Sequence, residues 1–232
     1  MEFTFLLPCL NEEESVALCI HEVRRGMARL GLDGEILVAD NGSADRSCEI
    51  AASCGVRVVQ VAERGYGAAI LGGIRAARGK FVIMGDCDGS YDLANPDLFV
   101  QALRDGAHLV VGDRFRGGIQ PGAMPLSHRF GVPLLSWLGR LRFGTRVRDF
   151  HCGLRGFSRE KALALGLCCP GMEFATEMIA RFSRSGAVIQ QVPTPLRKDC
   201  RTGKSHLRTF RDGWRHLKFI LVSDRRNFLQ EE

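Results

Sequence analysis

The stretch FVIMGDCDGSYD, residues 81–92, decides the predicted architecture of this 232-residue chain. It begins as an apolar, β-favouring run and ends in two carboxylates, Asp86 and Asp88, one residue apart. Because residues i and i+2 of an extended chain share a face, both side chains can reach one cation beyond the strand end. Carboxylate oxygens suit Mg²⁺ or Mn²⁺, which usually complete their coordination with water and substrate phosphates. The stretch therefore predicts a metal and diphosphate site, although the same residues are also typical of a simple turn.

Two earlier apolar runs also end at residues that can line a ligand site. Residues 3–8 end at Pro8, and residues 35–40 end at Asp40. Helix-like segments separate these runs, and strands that alternate with helices predict a parallel sheet with right-handed crossovers. Ligands bind beyond the carboxyl ends of the strands in such sheets. We therefore expect Pro8, Asp40 and Asp86 to lie in one crevice.

The second half of the chain is predicted to extend this α/β sheet. Helix-like periodicity resumes at residues 129–143 with an interruption at Pro133, and a loop rich in glycine and proline precedes it at residues 117–125. A final helix is predicted at residues 207–222, with apolar residues at steps of three and four and cations beside them. Further strands are predicted at residues 56–61, 108–112, 149–157 and 187–192.

Composition and charge limit the classes of protein that this chain can be. With 45% apolar and 25% charged residues, it has the composition of an ordinary globular domain. Nine scattered cysteines, an odd number, favour reduced thiols in a cytosolic protein over a disulfide framework. Residues 197–226 contain ten of the cations and only three acids. This basic segment could serve anionic lipid head groups, a phosphorylated substrate or nucleic acid.

Three motifs near the predicted strand ends carry a family resemblance: LPCLNEE at residues 7–13, VADNGSAD at residues 38–45 and GDCD at residues 85–88. In order and spacing they resemble the nucleotide-sugar core of family 2 glycosyltransferases with the GT-A fold. Four more motifs resemble the polyprenyl-phosphate or dolichyl-phosphate sugar synthase branch. These are GDR at 112–114, RDFHCGLRGF at 148–157, MEFATEM at 172–178 and RTGKS at 201–205.

The resemblance covers residues 2–218 and implies an organisation as well as a fold. It implies a GT-A catalytic domain over residues 1–206, with a Rossmann-like, mostly parallel sheet flanked by helices. Residues 207–232 then form a basic amphipathic helix and tail. That helix either packs on the domain or lies on an anionic membrane.

The resemblance assigns the nucleotide-sugar donor to the first strand ends. Asp40 lies where the family places a carboxylate that contacts the base and ribose, and Asn41 departs from the second aspartate usual there. The alternative for this region is a hydrogen-bond network that caps helices around Asn11. A glycine-rich loop at residues 64–67 is interpreted as a donor-binding loop. The remaining donor residues are Pro8, Asn11, Glu12 and Gly67.

Metal and acceptor residues follow from the later motifs. The resemblance implies that Asp86 and Asp88 coordinate a metal that bridges the diphosphate, with Ser90 at a position where some relatives have glutamine. Arginine pairs well with phosphate because its guanidinium binds two oxygens at once. Three arginines lie at or near positions where the family contacts the acceptor phosphate or braces the site: Arg114, Arg129 and Arg155. Each of them alone would usually be a solvated surface charge.

Two further groups are candidates for positioning or proton transfer. Asp149 is in position to pair with Arg155, and Glu173 or Glu177 could act as a general base or as a structural partner of a cationic loop. A phosphate acceptor needs no base, whereas a hydroxyl acceptor does, and we favour the positioning role. The loop at residues 201–205 is interpreted as a lid whose cations close on phosphate. Those cations are Arg201 and Lys204.

The predicted function is metal-dependent, inverting transfer of a sugar from a UDP- or GDP-sugar to a polyprenyl or dolichyl phosphate. The alternative is a soluble family 2 transferase that acts on a hydroxyl of a saccharide, peptide or natural product. A nucleic-acid-binding module is disfavoured because two tryptophans and two tyrosines offer few stacking platforms. The expected location is the cytoplasmic face of a membrane, by peripheral contact or through a membrane partner. No run approaches the roughly 18 to 20 apolar residues of a membrane-spanning helix.

Overall fold

The computed structural model describes residues 1–200 and 209–223, in which seven strands form one sheet. The strands are β1 (Phe3–Cys9), β2 (Gly34–Asp40), β3 (Arg57–Gln60), β4 (Phe81–Met84), β5 (Leu109–Asp113), β6 (Arg155–Ser158) and β7 (Ile189–Pro193). Their order is β3-β2-β1-β4-β6-β5-β7. Strand β6 runs antiparallel to β4 and β5, and the other pairs are parallel. The prediction of a mostly parallel α/β sheet is confirmed.

Helices flank this sheet and bury its apolar faces. The described residues form α1 (Val16–Leu30), α2 (Ser47–Ser53), α3 (Tyr66–Ala76), α4 (Asp97–Arg104), α5 (Arg114–Gly117), α6 (Leu126–Phe143), α7 (Arg159–Ala164), α8 (Phe174–Arg184) and α9 (Thr209–Val222). Strand β1 is buried along its whole length, as expected for a strand covered by helices on both faces. The sheet therefore forms a rigid core whose strand ends position the loops that follow.

Three local predictions differ from the structure. Asn11 does not cap α1: it adopts a left-handed conformation with φ of 55°, and the helix begins at Val16. Helix α6 continues through Pro133, which is exposed. The strand predicted at residues 149–157 is shorter and begins at Arg155. Residues 149–153 instead form a loop, in which the carbonyls of Phe150 and Cys152 accept hydrogen bonds from the Arg155 side chain.

Helix α9 packs against the domain through a small polar and apolar contact. The His216 ring is buried, its Nδ1 shares a hydrogen bond of 2.8 Å with Thr176 Oγ1, and it meets the His151 ring edge-on with centroids 4.3 Å apart. Burial lowers the pKa of His216 to about 4, so it is neutral at pH 7. Trp214 on the same helix is exposed, so the domain does not cover the whole of the predicted apolar face.

The predicted boundary between residues 206 and 207 falls within residues 201–208, outside the described part of the chain, and stays a prediction. Within the described ranges, none of the helices has the length and apolar character needed to cross a bilayer.

Candidate active site

A cavity of about 370 Å³ lies at the carboxyl ends of β1 and β4. We call it the strand-end cavity. Elements that are far apart in sequence build its wall: the β1 and β4 ends, the loops after β2 and before α3, the loop before α8, and the first turns of α9. The residues that line it include Pro8, Glu12, Asn41, Arg64, Tyr66, Asp86, Asp88, Arg211 and Arg215. Of the three residues predicted to share one crevice, Pro8 and Asp86 line this cavity, whereas Asp40 is buried and its neighbour Asn41 lines the cavity instead.

The two carboxylates that follow β4 both line this cavity. Asp86 Oδ1 accepts a hydrogen bond of 2.9 Å from the Tyr66 hydroxyl, and Asp88 Oδ1 accepts one of 2.9 Å from the Ser90 backbone N–H. Burial, and then repulsion by Asp88, raise the pKa of Asp86 to about 6. A pair of carboxylates that repel each other at a cavity wall is an arrangement that a bound cation stabilises.

Glycine at position 153 shapes the site around Asp86. A Cβ atom at this position would lie 2.0 Å from Asp86 Oδ2, so any side chain there would displace the carboxylate. The Gly153 backbone N–H donates a hydrogen bond of 2.8 Å to the Tyr91 hydroxyl, which fixes the loop at that distance. The motif at residues 148–157 thus packs directly against the predicted metal site.

The residues present fit a divalent metal whose coordination is completed by a substrate. No group of three or more histidine, cysteine, aspartate or glutamate side chains with metal-binding geometry occurs in residues 1–200 and 209–223. Mg²⁺ and Mn²⁺ are commonly held by one or two carboxylates together with phosphate oxygens and water. Asp86 and Asp88 provide that number of protein ligands, and both face a cavity with room for a diphosphate.

Hydrogen bonds of Asp40 and Asn41 hold the turn that follows β2. Asp40 is buried, and its carboxylate accepts hydrogen bonds from the Gly42 N–H at 2.9 Å and from the Ser43 hydroxyl. Asn41 lines the cavity; its Nδ2 donates to the Val61 and Glu63 carbonyls, and its Oδ1 accepts from the Gly65 N–H at 2.7 Å. An aspartate could not donate to those carbonyls, which explains the asparagine at this position. The contact of Asp40 with a base or ribose stays a prediction.

The other predicted donor residues have defined places beside the cavity. Pro8 and Glu12 line it, and Glu12 is buried. Asn11 Oδ1 accepts a hydrogen bond of 2.8 Å from the Ala44 N–H, so this side chain joins the loops after β1 and β2. Gly67 is buried in α3 where a Cβ atom would lie 2.1 Å from the Cys169 carbonyl oxygen. Close packing therefore accounts for Gly67, and its contact with a donor stays a prediction.

The arginines of the later motifs are divided between two environments. Arg114 forms a buried, two-pronged ion pair with Asp149, with Nε to Oδ2 at 2.7 Å and Nη2 to Oδ1 at 2.8 Å. Arg155 is fully buried and donates to the backbone carbonyls of Phe150, Cys152 and Ala175. The predicted pairing of Asp149 with Arg155 is wrong, because Arg114 occupies the carboxylate. Arg155 braces the loop, the second of the two roles expected for it.

Arg129 and Glu173 do not line the strand-end cavity. Arg129 is exposed on α6. Glu173 immediately precedes α8, and its Oε2 lies 3.9 Å from the Arg215 guanidinium, which itself lines the cavity. Glu177 is buried and accepts hydrogen bonds from the Cys168 and Cys169 N–H groups. These contacts agree with the positioning role favoured for the two glutamates.

Arg201 and Lys204 lie outside the described residues. The segment that leads to them is anchored at the metal site, since the Cys200 N–H donates a hydrogen bond of 3.1 Å to the Asp88 backbone carbonyl.

Several residues of the cavity were not identified from the sequence. Arg64 and Tyr66 belong to the glycine-rich loop, which was predicted from its glycines alone. Arg211 and Arg215 are four residues apart, and i,i+4 spacing places side chains on the same face of a helix. That spacing was the available signal, but the basic helix gave no indication of which face meets the site.

Comparisons with known proteins identify the family of this chain. The family model described as Glycosyl transferase family 2 matches residues 4–166. The low-salt glycan biosynthesis hexosyltransferase Agl6 of Haloferax volcanii is 38% identical over 94% of this chain, which spans only 52% of that protein. A dolichyl-phosphate hexose transferase of the same organism is 29% identical to this chain. The match covers 91% of this chain and 91% of that protein.

The fold is shared with a solved structure from Mycobacterium tuberculosis. Its glucosyl-3-phosphoglycerate synthase, in complex with Mn²⁺, uridine diphosphate and glucosyl-3-phosphoglycerate, is 26% identical, with a TM-score of 0.70. The match covers 96% of this chain and 79% of that one. The predicted GT-A fold is confirmed.

Proposed function

We propose that this chain, which belongs to glycosyl transferase family 2, transfers a hexose from a UDP- or GDP-sugar to a polyprenyl phosphate. The observation that carries the proposal is the pair Asp86 and Asp88 on the wall of a strand-end cavity lined by several cations. The named dolichyl-phosphate hexose transferase, which aligns over nearly its full length, supports a lipid-phosphate acceptor.

The donor would occupy the strand-end cavity with its diphosphate at the two aspartates. Asp86 and Asp88 would hold Mg²⁺ or Mn²⁺, and such a metal supplies Lewis-acid stabilisation of the departing nucleoside diphosphate. Arg64, Arg211 and Arg215 line the same cavity and add positive charge for the phosphates. The neighbour bound to Mn²⁺ and uridine diphosphate supports this assignment. The nucleoside would lie toward Pro8 and the loop after β2.

The acceptor phosphate would act as nucleophile without a general base, because it is an anion at neutral pH. Its oxygen attacks the anomeric carbon as the bond to the nucleoside diphosphate breaks, which inverts the configuration at that carbon. The chain contributes by positioning both reactants and by neutralising charge. Arg129 remains a proposed contact of the acceptor phosphate, and Arg201 and Lys204 would close on the donor diphosphate or the acceptor phosphate. The Arg114–Asp149 ion pair holds the surrounding loops.

A hydroxyl acceptor is the second candidate, and one observation favours it. The structural neighbour is named for a product, glucosyl-3-phosphoglycerate, that is not a lipid. For this acceptor a base must remove the hydroxyl proton. Glu173 lies beside Arg215, an arginine of the cavity, and it would take that role.

Release of nucleoside diphosphate tests the proposal. UDP- and GDP-sugars are supplied with Mn²⁺ or Mg²⁺, with and without a short-chain polyprenyl phosphate. We expect release of nucleoside diphosphate from one donor class only, and only when both metal and lipid phosphate are present. This release should be lost in Asp88→Asn and kept in Asp105→Asn, a control at an exposed aspartate. Release at the same rate without the lipid would contradict the proposed acceptor and favour a hydroxyl compound.

A further inference from the structure

Helix α6 exposes a continuous row of large apolar side chains. The exposed fractions are 72% for Leu126, 77% for Phe130, 58% for Leu134, 45% for Trp137 and 67% for Leu141. We call these five residues the α6 stripe. They follow one another at steps of four, four, three and four residues, which places them along one face of a helix. Single exposed leucines are ordinary, but a contiguous apolar surface of this kind usually marks an interaction site.

The α6 stripe is distinct from the face that anchors the helix to the domain. Val132, Ser136, Gly139 and Phe143 are the buried residues of α6, and they repeat with the same helical period on the opposite side. This buried face is packed closely: a Cβ atom at Gly139 would lie 2.6 Å from the Phe150 ring, and Ser136 Oγ accepts the Phe150 N–H at 3.1 Å. Helix α6 is therefore apolar on both faces, and the domain covers only one of them.

The surroundings of the α6 stripe are strongly basic. Residues 114–148 contain seven arginines and not one aspartate or glutamate. Arg129 and Arg142 are exposed on α6 itself, and Arg146 and Arg148 are exposed just after it. Another of the seven arginines, Arg114, is neutralised by its buried ion pair with Asp149. The uncovered apolar face is thus bordered by arginines whose charges no acid of the same segment balances.

A second helix, α9, packs on the buried face of α6, which lies opposite the α6 stripe, and carries exposed apolar side chains of its own. Phe219 of α9 packs on Phe143 of α6, with ring centroids 6.3 Å apart, and Arg142 Nη2 donates to the Ser223 carbonyl at 2.7 Å. Leu221 and Val222, in the same part of α9, are exposed. The first turns of α9 line the strand-end cavity, so this helix connects the cavity with the buried face of α6.

We propose that the α6 stripe lies on a phospholipid bilayer with anionic head groups. A helix with an apolar face bordered by cations binds such an interface through buried apolar area and through attraction to acidic lipids. Charge decides against a second copy of this chain as the occupant, because two such surfaces would bring arginines against arginines. The purpose of the contact rests on the proposed function, since a polyprenyl-phosphate acceptor resides in a bilayer.

Vesicle binding tests the surface without any substrate. The purified chain is mixed with vesicles of phosphatidylcholine alone or with added phosphatidylglycerol, and the bound fraction is measured by flotation. The test variant is Leu134→Ser with Leu141→Ser. The matched control is Leu98→Ser with Leu163→Ser, two leucines that are 47% and 43% exposed on α4 and α7. In addition, Trp214→Phe leaves Trp137 as the single tryptophan, and its emission reports the environment of the stripe.

We expect binding to the anionic vesicles only, weakened by salt, with a blue shift of the Trp137 emission. The stripe variant should bind about 100-fold more weakly, at about tenfold for each leucine, and the control should differ from wild type by less than about twofold. Equal binding by both variants would overturn the proposal. So would an absence of vesicle binding together with a dimer in light scattering, which would assign the stripe to a second copy.

The acceptor assay separates this proposal from the proposed function. With a short, water-soluble polyprenyl phosphate and no vesicles, the stripe variant should transfer sugar at the wild-type rate. If vesicle binding depends on the α6 stripe but no sugar is transferred to polyprenyl phosphate, the membrane-binding surface is supported and the proposed acceptor is refuted. Transfer to lipid phosphate without vesicle binding would refute the surface alone.

Discussion

Replacing Asp86 with asparagine is expected to stabilise the metal-free protein at neutral pH while abolishing sugar transfer. Burial and the neighbouring Asp88 raise the pKa of Asp86 from 3.8 to about 6, so ionisation of this carboxyl disfavours the folded state. Asparagine has nearly the same shape and its Oδ1 can still accept the Tyr66 hydrogen bond, but it carries no charge. The variant therefore removes a repulsion that wild type tolerates because the site needs a negative charge.

The magnitude follows from the two pKa values. The folded state holds the Asp86 proton more tightly than the unfolded state, so stability falls as the pH rises from 3.8 to about 6 and is constant above that. At about 1.36 kcal/mol per pKa unit the full penalty is about 3 kcal/mol. Because the carboxylate borders the strand-end cavity, where water screens it, we expect a gain of about 1 to 3 kcal/mol for Asp86→Asn at pH 7.5. Near pH 4 the gain should vanish.

Urea unfolding at pH 7.5 and pH 4 with chelator present measures this gain. Asp105→Asn, a change at an exposed aspartate, should alter the free energy of unfolding by no more than about 0.5 kcal/mol at either pH. Mn²⁺ should stabilise wild type but not Asp86→Asn. If Asp86→Asn were less stable than wild type at pH 7.5, or equally stabilised at both pH values, the repulsion assigned to this site would be refuted.

Three further changes probe other parts of the site. Gly153→Ala should lower kcat by about a hundredfold through displacement of the Asp86 carboxylate, and wild-type turnover at saturating metal would contradict this. Asp149→Asn breaks the buried pair with Arg114 and should cost about 3 to 5 kcal/mol in urea unfolding; a loss below about 1 kcal/mol would show that the pair is replaceable. Arg215→Ala should raise the donor KM by about tenfold, and an unchanged KM would remove this arginine from the donor site.

The sequence was most informative where local geometry alone determines the outcome. Asp86 and Asp88 follow a buried strand at i and i+2, so their place at a strand end could be predicted without knowledge of the partners. The same holds for Pro8 and for the alternation of strands and helices. Strand β6 was harder to predict, because its neighbouring loop is held by the Arg155 side chain and by no backbone pattern.

Contacts between distant segments could not be predicted in this way. Periodicity predicted a helix at residues 129–143 but not that both faces of α6 are apolar. It also gave no indication that Arg215 of α9 reaches the cavity built by the first strands. The exchange of partners at Asp149, which binds Arg114 and leaves Arg155 to the backbone, depends on how loops 35 residues apart in sequence come together. Such pairings are set by tertiary packing.

The most direct test of the central claim compares two acceptors that differ by one phosphate. Radiolabelled sugar from the active nucleotide-sugar is offered with metal to a polyprenyl phosphate and to the polyprenol of the same chain length. We predict labelled product from the phosphate alone, with inverted anomeric configuration, because the site holds charge for an anionic nucleophile. Transfer to the alcohol at a comparable rate, or to neither lipid while a soluble hydroxyl compound is labelled, would contradict the account.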